Sequence, residues 1–208
     1  MFKKILMSEK LLMIHIPKCA GITMNLIIGL DNPRYYGNKY GHHYADFVKN
    51  RMGDSYGKYN TFCIIRNPWD RLWSSYNFMK IGSTFMRATN KNIFSFEDYV
   101  FDIYKTKKYQ QYSSQINGDN LYYHRQSNWI FDNDGNKIVD IVGKFEDLTS
   151  LVNDIESKLE LGGLTIKLKS THSNKTKKPH YRSVYNKDMI DVVTEMYNDD
   201  IILGNYEY

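Results

Sequence analysis

Two short apolar runs interrupt an otherwise polar chain, and a basic residue and a proline follow each of them closely. The first run occupies residues 11–16 and leads into Pro17 and Lys18, and the second occupies residues 60–66, ends in an arginine and precedes Pro68. Short apolar runs bounded by such breakers are typical of buried strands, and the segments after them have helical potential. This order predicts parallel strands that present anion-binding loops at the carboxyl edge of a sheet.

The rest of the chain alternates in the same way between helix and strand patterns. Helices are predicted over 21–30, 43–52, 69–79, 95–106, 147–160 and 187–198, and further strands over 138–143 and 164–168. Asp147 or Thr149 is the expected N-cap of the helix at 147–160, and Gly162-Gly163 is expected to end it. The alternation predicts one α/β domain over residues 1–208, a three-layer sandwich around a mostly parallel central sheet.

Composition narrows the class of protein and of partner. Hydrophobic residues make up 42% of the chain and aromatic residues 15%, which excludes a disordered protein. The net charge of +5 suits an anionic ligand, but acidic residues are spread among the basic ones, so we expect no nucleic-acid partner. The abundance of tyrosine, with 18 residues, is interpreted mainly as coding bias plus amphipathic surface and not as a stacking platform.

Neither a membrane nor a metal is expected from the sequence. No stretch reaches the roughly 18 to 20 apolar residues of a membrane span, and the amino-terminal segment lacks the apolar core of a secretory signal. Cys19 and Cys63 are the only cysteines, and no ligand spacing surrounds them. We therefore expect a cytoplasmic protein with two reduced thiols and no metal site.

The loop after the first run has the residue types of an anion-binding turn. Lys18 places an ammonium beside the backbone amides that follow it, Gly21 is expected to let that backbone approach a ligand, and Thr23 adds a hydroxyl. The segment lacks the Walker A pattern, and a plain strand-to-helix turn with a solvated lysine is the alternative. The candidate binding residues are Pro17, Lys18, Cys19, Ala20, Gly21, Ile22 and Thr23.

The second loop is more specific because its cation is an arginine. Arg66 stands at the predicted strand end, where a planar guanidinium can bind a phosphate through two hydrogen bonds. Ser74 lies on the first turns of the helix that follows. For Arg71 we favour a structural role as a partner of Asp70 or of another acid. Two such loops in one small chain indicate a ligand with phosphate-like groups at both ends.

These two segments resemble the cofactor loops of a known enzyme family. The sequence HIPKCAGIT at residues 15–23 and FCIIRNPWDRLWSSY at residues 62–76 are similar to the loops of sulfotransferases that use 3′-phosphoadenosine 5′-phosphosulfate (PAPS). The similarity is greatest to the carbohydrate-type branch, which includes heparan 2-O- and chondroitin-like enzymes. It extends along the chain, and it departs from the family pattern at Cys19 and Ile22, where threonine or glycine is common. The resemblance implies a P-loop-like sulfotransferase fold.

The resemblance also implies roles for individual residues. Lys18 would hold the 5′-phosphosulfate, and Arg66 and Ser74 would bind the 3′-phosphate. His42, which precedes a short predicted helix, would be the general base that takes the proton of an acceptor hydroxyl, with His43 as the reserve candidate. The implied reaction is in-line transfer of a sulfuryl group to a hydroxyl, which we expect on a carbohydrate.

Weaker signals lie in the second half of the chain. A basic run follows residue 166, and within it Lys175 and Arg182 are candidate cofactor contacts, although a solvated loop is the usual role of such a run. Gln126, Glu146 and Asp147 either orient the acceptor or serve as a helix cap and strand-end hydrogen bonds.

Two other classes of function stay open at this point. A nucleotide kinase of the P-loop type would need a complete Walker A loop and acidic magnesium ligands, and the sequence has neither. A non-catalytic module that binds nucleotides or nucleic acid would not need the candidate base. The sequence carries no signal for the oligomeric state.

Overall fold

The computed structural model describes residues 11–28, 42–82, 95–110, 119–160, 162–170 and 179–208. The chain divides into two compact units, which we treat separately. Unit 1 comprises residues 1–65 and 128–175, and unit 2 comprises residues 66–127 and 176–208.

Helices lie between the described strands, and the described elements after the last strand are all helical. The strands are β1 (Leu11–Ile14), β2 (Asn60–Ile65) and β3 (Ile141–Lys144). The helices are α1 (Gly21–Ile28), α2 (Ala45–Met52), α3 (Pro68–Gly82), α4 (Phe96–Thr106), α5 (Leu148–Lys158), α6 (Leu164–Ser170), α7 (Lys187–Met196) and α8 (Asn198–Gly204). Within these ranges no helix is long and apolar enough to cross a membrane.

Unit 1 contains a small parallel sheet in the order β1-β2-β3. The register pairs Ile14 with Cys63 and Ile65 with Lys144, so the carboxyl ends of all three strands lie at one edge. In β2 every residue after Asn60 is buried, as expected of a central parallel strand that is covered on both faces. The mixed α/β class and the parallel pairing of the first two strands are confirmed, while the three-layer arrangement and the single domain over 1–208 stay predictions.

The prediction of a strand over residues 164–168 is wrong, because these residues belong to helix α6. The Glu156 carboxylate of α5 accepts hydrogen bonds from the Leu164 N–H at 2.5 Å and from the Thr165 hydroxyl at 2.6 Å. A partner on another element thus satisfies donors of the first helical turn, which have no acceptor within the helix. This contact overrides the local preference of the β-prone sequence for a strand.

Helix α5 begins as predicted but ends early. The Asp147 side chain accepts a hydrogen bond from the Ser150 N–H at 3.0 Å, so Asp147 and not Thr149 is the N-cap. The helix ends at Lys158, before Gly162-Gly163, and Glu160 adopts the left-handed backbone (φ 51°) that was expected of a glycine.

Unit 2 packs its helices around an aromatic core. Several tyrosines lie inside it, so an amphipathic surface does not account for these residues. The core includes Trp69, Leu72, Trp73, Phe96, Val100, Ile103, Tyr109, Tyr123, Tyr181, Met189, Val193, Met196 and Tyr197. Buried tyrosines keep a polar end, and Tyr197 donates its hydroxyl hydrogen to the Tyr123 carbonyl at 2.6 Å.

Close packing of α5 on β3 depends on Gly143. A Cβ atom at this position would overlap the Leu151 side chain, so we expect Gly143→Ala to lower the free energy of unfolding by about 1–3 kcal/mol, as overpacking does. Urea denaturation measures this loss. Gly57→Ala is the matched control, because a Cβ atom there would meet nothing within 4 Å. Equal stability of the two variants would contradict the packing argument.

Candidate functional site

The loop between β1 and α1 has an unusual backbone. Lys18 has φ 67° and Ala20 has φ 60°, so two residues with side chains occupy the left-handed region within three positions. Such conformations are unfavourable for residues other than glycine, and they cluster at ligand-binding sites. Pro17 and Cys19 are buried beside them, whereas Lys18 is half-buried. The loop therefore holds its backbone in a fixed shape around the lysine.

This loop ends at the amino end of α1. The first hydrogen bond into the helix runs from the Met24 N–H to the Ala20 carbonyl at 3.0 Å. The N–H groups of residues 21–23 therefore have no acceptor within the helix, and no acidic residue occupies its first turn. Helix dipole, amides and the nearby lysine all favour an anion at this end of α1.

Two histidines of unit 1 pack together beside α1. His42 Nδ1 lies 3.0 Å from the His15 carbonyl oxygen, and the two ring centroids are 4.3 Å apart. Because a carbonyl can only accept a hydrogen bond, Nδ1 of His42 carries the hydrogen, and the lone pair of the neutral ring resides on Nε2. Nε2 is thus the atom of His42 that can accept a proton.

The His15 ring also explains the glycine of the first loop. A Cβ atom at residue 21 would overlap the ring of His15. The absent side chain of Gly21 therefore makes room for His15, whereas the sequence suggested room for a ligand. Sequence reasoning missed His15 because it placed residues 15 and 16 inside the strand, while β1 ends at Ile14.

The adjacent histidines have different surroundings. Burial lowers the pKa of His15 to about 3, and His42 adds to the shift, so the His15 ring stays neutral. His43 stacks on Phe47 with ring centroids 4.4 Å apart, and its buried Nδ1 has no hydrogen-bond partner among the described residues. Its pKa is lowered by burial first and then by His42 and Arg51.

Arg66 follows β2 directly and forms an ion pair within unit 2. Its Nε and Nη2 atoms lie 2.9 and 2.6 Å from Asp70 Oδ2, and the residue is only 7% exposed. Ser74 is half-buried and lies one helical turn after Asp70, so both residues lie along one side of α3. Asp70 thus fixes the plane of the guanidinium that the sequence predicts as a phosphate ligand.

Arg71 has a structural role, as expected, but with another partner. It donates from Nη1 to the His124 carbonyl at 2.8 Å and from Nη2 to the Leu121 carbonyl at 3.3 Å. Asp70 pairs with Arg66, and for the alternative of another acid, the charge of Arg71 opposes the rise in pKa that burial causes at Asp200.

Of the two late basic candidates, Lys175 lies outside the described residues and Arg182 lies within them. Arg182 lies over the rings of Tyr181 at 5.7 Å and of Tyr208 at 5.8 Å, and Tyr208 contacts Trp69 at the start of α3 edge to face. Aromatic contacts thus join Arg182 to the helix that follows Arg66.

The other weak candidates are hydrogen-bonding residues of the scaffold. Asp147 caps α5, and Gln126 bonds to the backbone of Arg66 at 2.8 Å, so the cap and strand-end alternatives are confirmed for these two.

Cys19 and Cys63 are buried and not joined in a disulfide, and burial raises the pKa of the Cys63 thiol. Within the described ranges no three His, Cys, Asp or Glu residues are arranged to hold a metal ion.

Stability should fall in acid because of the buried histidines. The ordinary pKa of a histidine is 6.5, and burial lowers the pKa of His15 to about 3 and that of His124 to about 4. Between these values the unfolded chain binds more protons than the folded one, so the free energy of unfolding falls as the pH falls below 6.5. We expect His15→Gln to reduce this slope by up to about 1.4 kcal/mol per pH unit.

Urea denaturation at a series of pH values from 7 to 5 measures the slope. His180→Gln is the control, because His180 is exposed, and its slope should match that of the wild-type protein. An unchanged slope in His15→Gln would show that this ring is not buried in its neutral form.

Comparison with known families and proteins identifies the protein at the level of its family. The family model described as "Sulfotransferase family" matches residues 4–207, which include both loops and the described elements from β1 to α8. No curated protein and no solved structure matched the chain. Because the family match covers nearly the whole sequence, the chain belongs to the sulfotransferase family.

Proposed function

We propose that this sulfotransferase moves a sulfuryl group from PAPS to a hydroxyl of a carbohydrate acceptor. Family membership supports sulfuryl transfer in general. The observation that supports an anionic donor is the left-handed loop at Lys18, which leads into the acid-free amino end of α1. The choice of PAPS and of the carbohydrate branch rests on the resemblance of the two loop motifs.

The residues of each loop fit one end of such a donor. Lys18 and the amides of residues 21–23 would hold the 5′-phosphosulfate and stabilise the negative charge that develops on the phosphate as it leaves. Arg66 and Ser74 would bind the 3′-phosphate, since an arginine binds a phosphate through two parallel hydrogen bonds. PAPS supplies the activated sulfuryl group, and the protein supplies positive charge and hydrogen-bond donors.

His42 is the proposed general base. Its Nε2 would take the proton of the acceptor hydroxyl as the oxygen attacks sulfur. The His15 carbonyl oxygen accepts a hydrogen bond from Nδ1 of His42, which fixes the tautomer that the reaction needs. The same carbonyl would stabilise the imidazolium that forms. A neutral His15 ring adds no repulsion to that cation. Lys18 and His42 are therefore the proposed catalytic residues, and His43 is the reserve candidate should His42 not be the base.

Further parts of the proposal concern the setting of the enzyme. The buried thiols of Cys19 and Cys63 are compatible with a reducing cytoplasm, where we place the protein. Neither a metal ion nor nucleic acid enters the proposed reaction. Lys175 and Arg182 are proposed as additional contacts to the donor.

Donor binding tests the proposal directly. We expect 3′-phosphoadenosine 5′-phosphate (PAP), the product, to bind in calorimetry without any divalent cation. Arg66→Ala should weaken this binding about 10- to 100-fold, which corresponds to the loss of a charged hydrogen bond of about 1.5–3 kcal/mol. Arg51→Ala, which removes an exposed arginine, is the control and should bind as tightly as the wild-type protein. Equal affinity for ATP that requires magnesium would favour the kinase instead.

The base is tested by comparing the two histidines. We expect His42→Ala to lower kcat at least about 100-fold, the usual effect of a general base, with little change in affinity for PAP. Transfer is measured with a labelled sulfate donor and a panel of hydroxyl acceptors. His43→Ala is the matched control and should retain most of its activity. Full activity of His42→Ala would remove His42 from the reaction and make His43 the candidate.

A further inference from the structure

A buried glutamine holds both backbone groups of Arg66. Gln126 Oε1 accepts a hydrogen bond from the Arg66 N–H at 2.8 Å, and Gln126 Nε2 donates to the Arg66 carbonyl at 2.8 Å. An amide side chain thus pairs with Arg66 as a residue of a neighbouring strand would. Gln126 is fully buried, so no water competes for these bonds.

A buried carboxylate holds the glutamine in turn. Asp200 of α8 is 1% exposed, and its two oxygens accept hydrogen bonds from the N–H groups of Gln126 and Ser127, both at 2.8 Å. Gln126 Nε2 also lies 3.5 Å from Asp200 Oδ2. The chain of contacts runs from α8 through Gln126 to the residue that immediately follows β2.

If its only purpose were to stabilise the fold, this chain of contacts would be an unfavourable solution. Burying a carboxylate carries a desolvation penalty, and apolar residues of similar volume often stabilise a core as well or better. Both ends of the Gln126 amide also form hydrogen bonds to one residue, Arg66. Asp70 holds the guanidinium of the same arginine through an ion pair.

We propose that Gln126 and Asp200 are positioning residues for the donor site, fixing the backbone of Arg66 so that its guanidinium is ready for the 3′-phosphate. The inference rests on the proposed role of Arg66. Asp70 sets the plane of the guanidinium, and Gln126 sets the point from which the side chain starts. A side chain fixed at both ends loses little freedom on binding, and this preorganisation increases affinity.

The substitutions that test this leave the Arg66 side chain in place. Gln126→Met keeps the length and approximate volume of the side chain but removes both hydrogen bonds to Arg66. Asp200→Asn keeps the shape but replaces one acceptor oxygen with a donor. Tyr197→Phe is the matched control, because it removes the buried hydrogen bond to Tyr123 of the same segment without touching Arg66.

Calorimetry with PAP and urea denaturation are carried out on each variant. We expect Gln126→Met to raise the Kd for PAP about tenfold or more, since small misplacements of binding groups have effects of up to about 100-fold. Asp200→Asn should have a smaller effect in the same direction, and Tyr197→Phe should lower stability but leave the Kd unchanged. In the transfer assay the KM for the donor should rise while kcat at saturating donor stays the same.

A double-mutant cycle separates positioning from general damage. In the Arg66→Ala background, Gln126→Met should weaken PAP binding no further, because the group it positions is absent. Additive losses, or a loss of stability without any change in the Kd, would overturn the inference while leaving the role of Arg66 intact. If Arg66→Ala itself binds PAP normally, the proposed function fails first. Should Gln126→Met not fold, the Kd of Asp200→Asn decides.

Discussion

The parallel pairing of β1 with β2 is the constraint on which the candidate site depends. Ile14 pairs with Cys63, and adjacent strands of a sheet lie about 4.8 Å apart, so both chains leave the sheet at the same edge. The loop that contains Lys18 therefore leaves the sheet at the same edge as the carboxyl end of β2. A slip of the register by one residue would turn the side chains of one strand to the opposite face. The apolar sequence of β2, buried along almost its whole length, opposes any such slip.

Electrostatics explain why the proposed base is oriented by a carbonyl. In many enzymes a carboxylate holds the base histidine, but a second negative charge beside a donor with several phosphate charges would weaken its binding. The His15 carbonyl, 3.0 Å from His42 Nδ1, selects the tautomer of His42 without adding a net charge of its own. The buried His15 ring is kept neutral and fills the space above Gly21. The histidine pair thus orders the base at little electrostatic cost to an anionic substrate.

The elements around the two loops could be predicted because their signals are local. A proline and a cation after an apolar run mark the end of a strand wherever the chain folds, and β2 and α3 lie within a few residues of their predicted bounds. The strand predicted at 164–168 failed because a distant carboxylate, Glu156, decides the local structure. His15 could not be recognised, since its partner His42 is 27 residues away and only the fold brings the rings together. A strand-end role for Gln126 was one of the predicted alternatives, but its partner Arg66, 60 residues away, is identified only by the fold.

The ion pair of Arg66 explains how the arginine that we propose as a phosphate ligand can be buried. A guanidinium that is only 7% exposed needs a partner, because an unpaired buried charge is strongly destabilising. Asp70 supplies that partner through Nε and Nη2 of a group that has five N–H donors. Because Asp70 holds the guanidinium in one plane, the arginine would keep one orientation with and without ligand. Arg71 instead donates hydrogen bonds to the carbonyls of Leu121 and His124, so the two arginines of this segment have different partners.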